Sequence, residues 1–84
     1  MGLGIATIET QIEAAITSKI PDAVVVVNQP SGGHFTIEVT SQEFEGKSLL
    51  NKQRLVYSAI KELMAGDRAP VHAVDKLITK LPGQ

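Results

Sequence analysis

The chain has 84 residues, 43% of them apolar, a net charge of −1 and no cysteine. At that size residues 1–84 are expected to form a single domain, with a thin core that buries roughly 60–65% of the surface exposed in the unfolded chain. The composition excludes a disulfide scaffold and a disordered polar chain, and the whole-chain charge does not read as that of a nucleic-acid binder.

The first segment reads as a helix. Ile5, Ile8, Ile12, Ile16 and Ile20 recur at three- and four-residue spacing, with Ala15 beside them. Thr7 suits the N-cap, Glu9 suits the positive end of the helix dipole, and Pro21 stops the ladder. Ala23–Val27 follows, with four consecutive valines. β-branched residues favour a strand, and the lack of alternation predicts one that is well covered. Residues 28–33, Asn-Gln-Pro-Ser-Gly-Gly, predict a six-residue turn. Clean alternation comes next. Phe35, Ile37 and Val39 point one way, and His34, Thr36, Glu38 and Thr40 point the other. The two strands are expected to form a hairpin.

Residues 41–47 are a connection carrying Phe44 and Gly46. Ser48 suits the N-cap of a second helix with Leu49, Leu55, Val56, Ala59, Ile60, Leu63 and Met64 as its apolar stripe. Its early part is a candidate for a separate short helix, which would make two in tandem. Gly66 suits the C-cap, residues 67–70 form a loop, and Val71–Leu81 reads as the last strand. The expected architecture is α+β, in the order α-β-β-α-α-β. It has a mixed three-stranded sheet with helices on one face, and a helical crossover makes the second and third strands parallel.

The chain's function is not evident from composition. Three aromatic residues, Phe35, Phe44 and Tyr57, argue against a base-stacking RNA platform. The longest apolar run, Ala23–Val27, is far too short to span a membrane. The N-terminus lacks a signal-peptide pattern, and Ala6 occupies the Ser/Thr position of a myristoylation signal. With the absence of cysteine, these features lead to the expectation of a cytoplasmic protein. No P-loop, G-x-G-x-x-G or nucleophile-elbow pattern is present, so no catalytic residue is assigned.

Two histidines are the leading candidates for site chemistry. His34 lies on the polar face of its strand at the end of the glycine-rich turn, and reads either as an unremarkable surface residue or as a ligand. His72 lies at the start of the last strand, where it reads as a hydrogen-bonded structural residue or as a ligand. With parallel strands, both fall at the same sheet edge. Two imidazoles do not complete a four-ligand site, and no spacing supports adding Glu43 or Asp75. An iron–sulfur cluster with two imidazoles and two thiolates is chemically sound, with the thiolates coming from another molecule. Charge is segregated: residues 1–45 carry six acids against Lys19, and residues 46–84 carry seven bases against three acids. Lys47, Lys52, Arg54 and Lys61 lie around the second helix, as a solvated face or as a nucleic-acid or partner surface.

Phe44, Gly46, Arg54, Val56 and Tyr57 match the pattern F-x-G-x-x-x-x-x-x-x-R-x-[VIM]-Y, and His72, Ala73 and Val74 match H-A-[LV]. With Pro82 closing the last strand, the chain resembles the BolA family over essentially its whole length. The resemblance implies a fold like class II KH domains, although Gly46-Lys47-Ser48-Leu49 lacks the G-x-x-G of a KH loop. It implies a non-enzymatic partner that forms a heterodimer with a monothiol glutaredoxin, sharing a [2Fe–2S] cluster with glutaredoxin and glutathione. Alone, such a chain is expected to be a monomer or weak homodimer. The resemblance maps the family's common metal ligand to His72 and the second, from the loop between the first two strands, to His34. The alternative it leaves open is a DNA-binding regulator that uses the basic helix surface. Gln53, where many members carry histidine, is similar to the IbaG branch, and the acidic and aromatic tail of many members is missing after Pro82.

Overall fold

A computed structural model describes residues 7–83. Helix α1 spans Ile8–Lys19. Thr7 caps it, its side chain accepting from the Thr10 N–H, and the chain leaves at Ile20 just before Pro21. Ile12, Ile16 and Ile20 are fully buried, as a four-residue repeat on one helix face requires. Ile5, placed in the same stripe by its spacing, lies outside the described residues.

Strand β1 (Val24–Ser31) pairs antiparallel with β2 (His34–Thr40), and β2 pairs parallel with β3 (Ala73–Lys80), in the order β1-β2-β3. The central strand carries the core. Phe35, Ile37 and Val39 are buried towards the helices, and the alternation read from the sequence holds along all of β2. The parallel pairing also holds, because helix α2 (Leu49–Met64) crosses over between β2 and β3.

Several details depart from the sequence reading. The valine run is not well covered: Val24 is 64% and Val26 50% exposed. Both helices pack on one face of the sheet, so alternate valines of this edge strand face solvent, and the run marks strand preference rather than cover. The turn is shorter than six residues. β1 continues through Ser31, leaving Gly32 and Gly33 as the turn, and Pro30 is tolerated because β1 is an edge. Leu49 is 63% exposed, because the first turn of α2 projects beyond the core. The last strand begins at Ala73. Val71 is buried ahead of it, with its N–H donating to the Leu63 carbonyl. α2 is one continuous helix capped by Ser48, and the additional helical element is a single 3-10 turn, Gln42–Phe44, that buries Phe44 completely.

Asp22 ties that turn to the end of α1. It accepts from the Ser41 hydroxyl at 2.6 Å and from the Gln42 N–H at 2.9 Å. The Ser41 hydroxyl, and then the Gln42 N–H, hold the Asp22 carboxyl below its ordinary value. A carboxylate lowered on folding stabilises the fold above its unfolded pKa, and that contribution is lost as pH falls through the lower folded value. Asp22→Asn is therefore expected to lower the urea midpoint at neutral pH. The gap from the unmodified chain should close as the solution is acidified below about pH 4.

Candidate functional site at the hairpin edge

The turn between β1 and β2 and the entry to β3 meet at one edge of the sheet. In register, His34 lies opposite Ala73, so His72 stands immediately beside the first pair of the parallel ladder. One carbonyl holds this junction: Gly33 O accepts from the His72 N–H at 2.9 Å and from the Ala73 N–H at 3.0 Å. The Gly33 N–H in turn donates to Gln29 Oε1 at 2.9 Å, and Gln29 Nε2 donates to Glu9 Oε2 on α1 at 3.3 Å. The turn is thereby fixed to both the first helix and the last strand.

Gly33 is required here for two reasons. Its φ of +79° lies in the left-handed region, and a Cβ on it would lie 2.1 Å from His72 Cδ2 and 2.9 Å from Cγ. The His72 imidazole rests against the bare Cα of Gly33. Beside it, His34 Nδ1 lies 3.1 Å from Asp75 Oδ1, with both side chains about half exposed. Both histidines are thus exposed neighbours at one edge, as the parallel pairing implied. Glu43, weighed as an added carboxylate, lies on the 3-10 turn beyond the opposite end of β2. Among the described residues no group of three or more His, Cys, Asp or Glu is placed to hold a metal ion. The arrangement places two exposed imidazoles, whose ring nitrogens are its available donor atoms, at one sheet edge.

The four basic residues do not form one stripe. Lys47 precedes α2 and is exposed. Arg54 and Lys61 are exposed and lie about two helical turns apart on the outward face. Lys52 falls nearly opposite Arg54 around the helix and is partly buried. Elsewhere the acidic and basic halves interleave, with Lys80 Nζ 3.1 Å from Glu38 Oε2 across β2 and β3. A shallow cleft of about 290 Å³ on the open sheet face is lined by Val26, Asn28, Thr36, Ile37, Glu38, Lys76 and Ile78, and includes neither histidine.

The family model for BolA-like proteins matches residues 9–81. The chain belongs to the BolA family. BOLA2 of Arabidopsis thaliana is 38% identical over 77 residues, covering 88% of this chain and 78% of that protein. BolA-like protein 1 of Mus musculus is 38% identical over 86 residues, covering 87% of this chain. The chain spans only 60% of that mouse relative. The solution structure of mouse BolA1 superposes with a TM-score of 0.73 at 32% identity, covering all of this chain and 77% of that one. The BolA fold therefore accounts for the parallel β2–β3 pair that brings His34 and His72 together.

The contacts of three residues around the two histidines are visible only in three dimensions. Gly33 was legible as a turn residue, but its contact with an imidazole was not. Gln29 reads from the sequence as part of the turn and Asp75 only as a possible added ligand; their contacts with Gly33 and His34 are set by the turn and by cross-strand pairing.

Proposed function

We propose that this BolA-family chain is a non-enzymatic partner of a monothiol glutaredoxin and co-ligates a [2Fe–2S] cluster with it, in iron–sulfur trafficking or in iron and redox regulation. The observation that carries this reading is the pair of exposed imidazoles at one sheet edge in a chain without cysteine. The cluster is shared cargo: His72 and His34 supply nitrogen donors, and the glutaredoxin and glutathione supply thiolates. His72 is the principal ligand, because its backbone is fixed by the Gly33 carbonyl and its ring by contact with Gly33. Ligation needs neutral imidazole, so acid opposes it. A DNA-binding role has weaker support, since Arg54 and Lys61 are exposed on the outward face while Lys52 is partly buried on the far side of the helix.

Anaerobic reconstitution with a monothiol glutaredoxin and glutathione tests the proposal. A heterodimer with visible absorption and circular dichroism is expected. His72→Ala should leave the far-ultraviolet spectrum intact and reduce cluster retention by at least about tenfold, since even the groups that support metal ligands cost about 10–100-fold when removed. An unchanged cluster spectrum in the His34→Ala, His72→Ala double variant would reject the assignment.

A further inference from the structure

Strand β3 contains one residue more than its ladder uses. Val74 lies opposite Phe35 and Lys76 lies opposite Thr36, which leaves Asp75 without a partner on β2. The consequence appears in the burial pattern. Asp75 and Lys76 are both exposed, whereas Leu77, opposite Ile37, packs against the core. Without the extra residue, Asp75 would occupy the place of Lys76, and the inward and outward positions beyond it would exchange. A bulge of this kind redirects a side chain, and the redirected carboxylate lies 3.1 Å from His34 Nδ1.

An ionised carboxylate only accepts hydrogen bonds, so the ring nitrogen facing Asp75 carries the proton. In a neutral imidazole the lone pair then lies on Nε2. We infer that Asp75 is a positioning residue that holds His34 in the Nδ1–H tautomer and presents Nε2 as the metal donor. This inference rests on His34 being a ligand, as proposed above. The two histidines are then held by different means. A bulged carboxylate orients His34, whereas His72 is seated by packing against Gly33, and its ring has no hydrogen-bond partner among the described residues. A carboxylate behind a ligating imidazole fixes both ring orientation and donor strength.

Long-range proton–nitrogen NMR of the ¹⁵N-labelled chain at about pH 8.5, above the ordinary imidazole range, reads the tautomer without any metal. His34 is expected as the Nδ1–H form. Asp75→Ala should convert it mainly to the Nε2–H form that an unconstrained histidine favours. Asp75→Asn, whose amide can turn either its oxygen or its NH2 to the ring, should give a mixture of the two tautomers. The Nε2–H form in the unmodified chain, or no change in Asp75→Ala, would overturn the inference. In the reconstituted glutaredoxin complex, Asp75→Ala should reduce cluster retention about tenfold or more, with partial recovery in Asp75→Asn. If the tautomer follows Asp75 but His34→Ala leaves the cluster spectrum unchanged, the assignment of His34 as a ligand fails while the carboxylate's hold on the ring stands.

Discussion

Gly33→Ala is expected to disable His72 without altering it. The added methyl would lie 2.1 Å from His72 Cδ2, inside any permissible contact, so the ring or the turn must move. The left-handed backbone at φ +79° adds a cost of about 1–2 kcal/mol for a residue with a Cβ. Gly66→Ala separates the two effects. Gly66 has φ +87°, but a Cβ there meets nothing within 4 Å. Both variants should lose stability in urea titration, Gly33→Ala at least as much as Gly66→Ala, because it adds the clash to the same backbone strain. Only Gly33→Ala should shift the His72 ring resonances and reduce cluster retention in the glutaredoxin complex, by about tenfold or more. Equal retention in the two variants would show that the contact between Gly33 and His72 does not seat the ligand.

Phe44→Ala is expected to be the most destabilising single substitution in the core. Phe44 is fully buried on the 3-10 turn between β2 and α2, among the isoleucines of α1 and the inward residues of β2. Large-to-small changes of a buried phenylalanine cost about 3–5 kcal/mol. A domain of this length has about 4–13 kcal/mol in total, so the variant should be substantially unfolded at 37 °C or have its midpoint lowered by 10 °C or more. Leu50→Ala is the comparison. Leu50 is 55% exposed, and its truncation should change stability by less than about 0.5 kcal/mol. Thermal unfolding followed by circular dichroism distinguishes the two.

Much of the fold is legible in the sequence because its strongest signals are local. The isoleucine repeat between Thr7 and Pro21, the alternation from His34 to Thr40 and the Ser48 cap each specify an element without help from the rest of the chain. The connection containing α2 then implies that β2 and β3 run parallel, and this brings His34 and His72 to one edge. What escaped the sequence depends on pairing across the sheet or on which face is covered. Val24 and Val26 look like core residues until the sheet is seen to have helices on one face only. The unpartnered position of Asp75 exists only relative to Phe35 and Thr36, so no pattern within β3 reveals it. Gly33 reads as a turn glycine, while its second duty, leaving room for an imidazole from a residue remote in sequence, is visible only in three dimensions.

The central claim is that imidazole nitrogen from this chain binds iron in a cluster shared with a glutaredoxin. Pulsed electron paramagnetic resonance of the reduced cluster tests it most directly, with ¹⁵N-histidine in this chain and unlabelled glutaredoxin and glutathione. Strong ¹⁵N couplings are expected, and His72→Ala should remove the larger one. A cluster that forms in the complex without ¹⁵N coupling would contradict the claim, because its ligands would then all come from the partner molecules.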